Sequence, residues 1–232
     1  NKKIMWLINS SVGRKVVMSI TGASLVLFLL FHASMNLVAI ISEEGYNMIC
    51  EFLGANWYAL VATAGLAGLV VLHILYAFIL TVQNYRARGS QRYAVSANQK
   101  DVSWASKNML VLGVIVVLGI GLHLFNFWYK MQFAEILHMA GVADVDIANA
   151  TNGVYWIKET FANPIYVGLY LVWLAAIWFH LTHGVWSAMH SLGLNNGIWM
   201  KRVKCISNIV STLVVLMFAV VVVYYFAMSL CA

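Results

Sequence analysis

Charged residues are scarce in this chain. They make up 9% of its 232 residues, whereas about a quarter of an ordinary soluble domain is charged. Hydrophobic residues make up 62%, and the mean hydropathy is +0.83. This composition excludes a soluble globular domain and indicates an integral membrane protein. The apolar runs are continuous rather than alternating, so they predict membrane-spanning helices and not a β-barrel.

Proline and cysteine are also rare. The one proline, Pro164, opens an apolar run, where its missing N–H does no harm to a helix. The 3 cysteines, Cys50, Cys205 and Cys231, have neither a zinc-type spacing nor the C-x-x-C-H motif of covalent haem attachment. Any haem would therefore be held noncovalently. Cys50 and Cys231 fall on the same predicted side of the membrane, where unpaired thiols are favoured over a disulfide.

Five apolar runs approach or exceed the ~20 residues that a helix needs to cross a bilayer. They lie at 16–41, 57–83, 107–132, 164–190 and 204–229. The basic start of the chain is typical of a signal sequence, but the run that follows is too long and lacks a small-residue cleavage site. We therefore predict an all-α protein whose residues 1–232 form one transmembrane domain of five helices.

The charges predict the orientation of these helices. Of the 14 Lys and Arg residues, all but Lys130 and Lys158 fall on one side of the predicted spans. The positive-inside rule places that side, and the amino terminus, in the cytoplasm, and the carboxyl terminus outside. Of the 8 acids, all but Asp101 fall in the two outer loops, and no span contains one. The second outer loop, 133–163, is expected to contain short amphipathic helices at the interface.

Histidines occur inside the first four runs, at His32, His73, His123 and His180. Counted from the inner ends of the runs, His73 and His180 each lie ten residues deep, and His32 and His123 sixteen. The two levels are thus separated by ~9 Å of helix rise. A polar group left unpaired in an apolar interior costs roughly 1–3 kcal/mol, so each imidazole requires a partner.

The chemistry of these partners favours haem over zinc. Haem iron accepts neutral imidazole, whereas zinc would require carboxylate or thiolate ligands at the same depth, and there are none. We predict two haem b groups: an inner haem with His73 and His180 as iron ligands, and an outer haem with His32 and His123.

Other residues near the predicted ligands have more than one interpretation. His183, one turn from His180, is either an alternative ligand or a haem propionate contact; as a ligand it would miss the depth of His73 by about 4.5 Å. Ser19 and His190 are further candidates for propionate contacts. The glycines near each histidine would allow backbone to approach a flat macrocycle, or they reflect close helix packing.

Short motifs surround the four histidines. They are Ser19-Ile20-Thr21-Gly22 before Phe31-His32, Leu72-His73-Ile74-Leu75-Tyr76, and His180-x-x-x-Gly184-x-Trp186-Ser187. With these motifs the chain resembles, over nearly its whole length, the single-chain, five-helix, di-haem cytochrome b anchor of succinate dehydrogenase and quinol:fumarate reductase. The resemblance implies that His180, not His183, is the ligand.

The resemblance also implies partners and a location. A flavoprotein with the dicarboxylate site and an iron–sulfur subunit would dock on the cytoplasmic face of a bacterial membrane, and menaquinone would be the lipid substrate. This chain would then be the quinone-reactive subunit, with no dicarboxylate site of its own. Some members carry a carboxylate in the fourth span, but residues 165–190 contain none. The basic charge suits such a partner or anionic lipid, and nothing indicates nucleic acid.

An outer haem is useful if quinone reacts near it, so we predict the quinone site at the outer ends of the first three spans. Glu51 is the favoured acid or base there. The other candidates in this region are Glu43, Glu44, Trp57, Tyr58 and His138.

Two alternatives remain open. One is the anchor of a different di-haem quinone oxidoreductase. The other is a non-redox membrane protein, such as a transporter whose histidines bind metal or relay protons. Likewise, the inner basic residues either dock an iron–sulfur partner or only determine topology and contact lipid. These residues include Arg14, Lys15, Arg86, Arg88 and Arg92.

Overall fold

The structure, a computed structural model, describes residues 10–87, 104–142, 145, 147–194 and 196–231. In these residues all regular structure is helical, which confirms the predicted all-α class. The helices are α1 (Ser11–Ile41), α2 (Glu43–Phe52), α3 (Trp57–Ala87), α4 (Trp104–Lys107), α5 (Met109–His123), α6 (Gln132–Met139), α7 (Gly153–Phe161), α8 (Pro164–Ser191) and α9 (Gly197–Cys231). A π-helical segment, Leu124–Trp128, continues α5.

Five of these elements are long and apolar enough to cross a membrane: α1, α3, α5 with its π segment, α8 and α9. The chain is therefore a multi-pass membrane protein, as predicted. The first and last spans begin earlier than their apolar runs, at Ser11 and Gly197. A helical backbone satisfies its own hydrogen bonds beyond the apolar core, and long basic side chains there can extend toward water. The third span ends at Trp128, before the predicted 132.

Side-chain caps define the helix starts. Ser10 accepts a hydrogen bond from Gly13 N at 2.9 Å, and Ser42, between α1 and α2, accepts one from Gly45 N at 3.0 Å. Asn163 accepts one from Ile165 N at 2.9 Å, with Pro164 in the first turn of α8. These bonds satisfy N–H groups that have no partner inside the helix. The cap at Ser42 lets the chain turn from α1 into α2 without a loop.

Hydrogen bonds between helices show which ends lie together. Tyr225 Oη donates to Ala39 O at 2.7 Å, which joins the carboxyl ends of α9 and α1. Ser207 Oγ donates to Thr182 O at 2.9 Å, which joins the start of α9 to the second half of α8. In the predicted orientation, the end near Ala39 is the outer end of the bundle. The inner end carries Arg14, Lys15, Arg86, Lys107, Lys201, Arg202 and Lys204.

The core is formed mainly by α1, α8 and α9, with α8 also packed against α5. Helix α3 is different, because it packs chiefly against α1 and its spanning part has almost no fully buried side chains. Its exposed side chains are mostly apolar, among them Val61, Leu75 and Phe78. Such a surface is suited to contact with lipid.

Three short helices, α2, α6 and α7, form the outer cap of the bundle, and α6 and α7 lie in the loop predicted to contain helices. Asn47 Nδ2 donates to Asn152 Oδ1 and Asn47 Oδ1 accepts from Val154 N, both at 3.1 Å, which joins α2 to the start of α7. Lys158 and Glu43 form an ion pair at 2.7 Å across the same interface. The cap therefore has specific contacts between its helices.

Trp173 explains one glycine in the third span. A Cβ at Gly119 would overlap its indole, whereas a Cβ at Gly113, on the same helix, would meet no neighbour within 4 Å. Trp173 cannot move away without cost, because its Nε1 donates to Val116 O at 3.1 Å. We expect Gly119→Ala to destabilise the fold by about 1–3 kcal/mol. The control, Gly113→Ala, should leave stability unchanged or raise it by up to about 1 kcal/mol, because alanine favours a helix.

The measurement is the thermal unfolding midpoint of both variants in one detergent. A Gly119→Ala midpoint equal to that of Gly113→Ala would contradict the contact with Trp173.

Cys50 provides a test of the α2–α7 contact. All three cysteines are free, and Cys50 packs against Gly153 and Tyr46. Burial raises the pKa of the Cys50 thiol to about 11. Because the thiolate is the reactive form, Cys50 should react slowly with a maleimide at pH 8, while the exposed thiol of Cys231, at the end of α9, reacts fast.

The measurement compares chains that keep a single cysteine. The Cys50 thiol stays protonated in the folded protein at pH values where it would ionise in the unfolded chain. Cys50 should therefore also lower the free energy of unfolding as the pH rises from about 9 toward about 11. Equal labelling of Cys50 and Cys231 at pH 8 would show that the α2–α7 contact is open.

Candidate cofactor-binding site

The outer pair, His32 on α1 and His123 on α5, is in ring contact. The two ring centroids are 5.8 Å apart and the planes are inclined by 79°. The surroundings are aromatic: His32 stacks on Phe28 at 5.4 Å and touches Phe218 at 5.5 Å. His123 is in contact with Phe127, Tyr170 and Trp173.

The inner pair, His73 on α3 and His180 on α8, is also in ring contact. Its centroids are 6.4 Å apart and the planes are inclined by 61°. Thr21 Oγ1 lies 3.1 Å from His73 Nδ1. The structure therefore brings together the two pairs that the depth count predicts, and it pairs His73 with His180.

Both separations suit two ligands of one metal ion. Two imidazoles that bind one ion from opposite sides, each through a bond of about 2 Å, have ring centroids roughly 6 Å apart. Both ring planes contain the metal–nitrogen axis and can rotate about it, so inclinations of 61° and 79° are equally acceptable. The centroid distances would therefore allow the two imidazoles of each pair to hold one iron ion.

The helices that carry each pair are not close neighbours. Among the described elements, neither α1 with α5 nor α3 with α8 belongs to the helix pairs whose backbones pack closely. The two imidazole rings of each pair are nevertheless in contact, across the space between their helices. Cofactor sites in helix bundles are commonly built from such side chains on facing helices.

Two side-chain contacts relate the levels along single helices. On α1, Thr21 contacts the inner pair and His32 belongs to the outer pair, which is 11 residues or about 16 Å of rise. On α8, Trp173 contacts His123 and lies seven residues, or about 10 Å, from His180. The value on α8 is close to the predicted ~9 Å and the value on α1 is larger, because side chains also reach along the helix axis. The separation of the two levels therefore stays a prediction.

The ligand set in the described part of the chain is limited to pairs. No group of three or more His, Cys, Asp or Glu side chains is placed to hold a metal ion there. A zinc site normally has at least three protein ligands, and calcium takes six or more oxygens. Two imidazoles complete the coordination of iron when a porphyrin supplies the other ligands, so the residues fit haem better than a bare ion.

The three candidates for a propionate contact differ in whether they have a hydrogen-bonding group available. Ser19 Oγ donates its hydrogen to Lys15 O at 2.8 Å, so it has none left for a carboxylate in this arrangement. His190 is exposed at the end of α8. His183 Nδ1 is buried and has no hydrogen-bond partner among the described residues, as is also true of His180 Nδ1. A buried polar atom without a partner is costly, so His183 is the candidate that a ligand carboxylate would satisfy.

A pocket of about 680 Å³ lies at the outer end, between α2, α3, α6 and the loop before α7. Its polar lining includes Glu51, Tyr58, Glu135 and His138. This volume is within the range of about 300–1,000 Å³ for small-molecule sites. Three of the predicted quinone-site residues, Glu51, Tyr58 and His138, thus share one cavity.

The other predicted residues lie elsewhere. Glu43 is paired with Lys158. Glu44 is exposed on α2, and Trp57 is 78% exposed with its ring against Tyr58; neither lines the pocket. Because an ion pair between distant loops has no local sequence pattern, the role of Glu43 could not be predicted.

Gln132 and Glu135 on α6 hold the turn at the pocket. Gln132 Nε2 donates to Gly54 O at 3.0 Å, and its Oε1 accepts from Thr63 and from Trp128, both at 3.0 Å. Glu135 Oε2 accepts from Ala55 N at 2.9 Å. These two residues were not singled out from the sequence. The available signal was the spacing of Gln132, Glu135 and His138, which places all three on one face of a helix.

Comparisons of the chain with protein-family models, with curated proteins and with solved structures found no match. The candidate site therefore consists of two pairs of imidazoles in contact within the bundle and a polar pocket at its outer end.

Proposed function

We propose that this chain is the membrane anchor and electron-transfer subunit of a succinate:quinone or quinol:fumarate oxidoreductase. It would hold two haem b groups, the inner one on His73 and His180 and the outer one on His32 and His123. The observation that carries the proposal is the geometry of the two pairs, with ring centroids 6.4 and 5.8 Å apart between helices whose backbones do not pack closely.

The residues around the pairs suit this role. When bound, haem iron supplies reversible one-electron oxidation and reduction. The aromatic side chains around His32 and His123 keep water away from both rings. Thr21 gives His73 a hydrogen-bond partner at Nδ1, which leaves Nε2 free of this bond. His183 offers a buried nitrogen for a haem propionate near the inner pair.

The inner end supports docking of an iron–sulfur subunit, and with it a flavoprotein that holds the dicarboxylate site. Arg14 and Lys15 lie in the first turns of α1, and Arg86 lies in the last turn of α3. Arg88 and Arg92, which belong to the same predicted face, lie outside the described residues. A basic surface attracts an acidic protein partner over several ångströms. In such a complex, the iron–sulfur subunit and the flavoprotein would lie on the cytoplasmic side of a bacterial membrane.

The outer pocket supports reaction with menaquinone. Reduction of a quinone takes up protons together with electrons, so an acid or base beside the ring can assist. Glu51 and His138 provide such groups in one cavity, and Tyr58 provides an aromatic wall. The pocket lies at the same end of the bundle as the outer pair. Because no span contains a carboxylate, protons for this site would come from the outer aqueous side.

The four proposed ligands can be tested one at a time. Replacing His73 or His180 by alanine should remove the inner haem, because an axial ligand is lost. Replacing His32 or His123 should preferentially remove the outer haem. The measurement is haem b content per chain, together with the reduced-minus-oxidised spectrum of each purified variant. His138→Ala, outside the spans, is the control and should keep both haems.

The assignment of His180 has its own test, His183→Ala, which should retain two haems. If His180→Ala kept both while His183→Ala lost one, the pairing of His73 with His180 would be wrong.

The quinone site is tested by Glu51→Gln. The amide keeps the shape of the side chain but cannot transfer a proton at neutral pH, so quinone-linked turnover should fall by about 100-fold or more. Glu44→Gln is the matched control, because Glu44 lies on the same helix and does not line the pocket.

Both variants are assayed for haem content and for activity with a soluble artificial acceptor, which should stay normal. Unimpaired quinone turnover in Glu51→Gln would exclude Glu51 from the reaction.

A further inference from the structure

The hydroxyl of Thr21 on α1 lies against the imidazole of His73 on α3. Thr21 Oγ1 and His73 Nδ1 are 3.1 Å apart, and Thr21 is 4% exposed. The contact joins two different spans and leaves the other ring nitrogen, Nε2, free of this bond. Thr21 is thus a buried polar partner for a ring that is proposed to bind metal.

The neighbours of Thr21 determine the direction of this hydrogen bond. Thr21 Oγ1 also lies 3.0 Å from Val17 O and 3.1 Å from Met18 O. Carbonyl oxygens can only accept, and both lie within reach of the one hydroxyl hydrogen of Thr21. With that hydrogen on a carbonyl, the hydroxyl oxygen faces His73 as an acceptor, and His73 Nδ1 donates to it. Because neutral imidazole carries one N–H, Nε2 is left with its lone pair.

Gly22 leaves room for the imidazole of His73 against α1. A Cβ at this position would lie 3.3 Å from His73 Cε1, which is tighter than ordinary contact. The absence of a side chain therefore lets the edge of the imidazole rest against α1. Since α3 packs chiefly against α1, this contact is a main constraint on the position of His73.

The outer pair has a different arrangement. The polar atom near His32 Nδ1 is Asn36 Nδ2, at 3.4 Å, and an amide nitrogen is a donor. The orientation of this amide is set by two better bonds: Nδ2 donates to His32 O at 2.8 Å, and Oδ1 accepts from Tyr46 Oη at 3.2 Å. Asn36 therefore does not offer His32 the acceptor that Thr21 offers His73.

We infer that Thr21 is a positioning residue for His73. It sets the tautomer with hydrogen on Nδ1 and so directs the bare Nε2 toward the space shared with His180. A hydrogen bond accepted from Nδ1–H also makes Nε2 more electron-donating, which stabilises oxidised iron. The tautomer is a property of the chain itself, whereas the effect on iron rests on the proposed function.

The test uses three variants of the purified complex. Thr21→Val removes the acceptor with almost no change in shape, and Thr21→Ser keeps it. Ser34→Ala removes a hydroxyl from the same helix whose bond runs to Leu30 O at 2.8 Å. In a spectroelectrochemical titration, the midpoint potential of the inner haem should become more positive in Thr21→Val and stay normal in Thr21→Ser and Ser34→Ala. The inner haem is the one whose signal His180→Ala removes, and the outer haem should not shift.

A second readout does not depend on the potential. In ¹⁵N spectra of the reduced, histidine-labelled chain, His73 should show a protonated Nδ1 in the wild type and in Thr21→Ser. Thr21→Val should change that resonance. If Thr21→Val does not assemble, Thr21→Ala replaces it in both measurements.

The outcomes separate the two proposals. A wild-type chain without haem b overturns the proposed function, and the ¹⁵N comparison then still decides the tautomer. A chain with two haems whose inner potential and His73 resonance are both unchanged in Thr21→Val overturns the role of Thr21.

Discussion

The cost of placing imidazoles inside a membrane-spanning bundle is the constraint on which this structure depends. A buried ring nitrogen without a partner is costly, and the fold brings the rings of two pairs of histidines together across gaps between helices. His32 meets His123, and His73 meets His180, although the helices of each pair do not pack closely. Tight packing is found instead among α1, α8 and α9, two of which carry His32 and His180.

The outer end of the bundle couples the histidine level to the pocket. The π segment follows His123 directly and ends at Trp128, whose Nε1 donates to Gln132. Gln132 in turn holds the turn at Gly54, next to the helix that carries Glu51. Such π segments interrupt α-helices and occur often at functional sites. A continuous set of hydrogen bonds therefore connects the end of the third span with the proposed quinone pocket.

Much of the fold follows from the sequence, because apolar runs near 20 residues have few other solutions in lipid. The pairing of histidines also follows, since helices that alternate in direction place residues of equal depth side by side. The distance between the two levels stays a prediction, because contacts on α1 and α8 correspond to about 16 and about 10 Å of helix rise. The partner at His73 Nδ1 could not be predicted either: Thr21 stands in a motif quoted from the sequence, but its contact with His73 depends on how α1 packs against α3. Asn36, in contrast, lies one turn from His32 on the same helix.

The most direct test of the central claim is the haem b content of the purified wild-type chain, measured with its reduced-minus-oxidised visible spectrum. Two pairs of facing imidazoles predict two haem b groups per chain, both with the spectrum of low-spin iron held by two histidines. A folded chain that shows no haem b band would contradict the account.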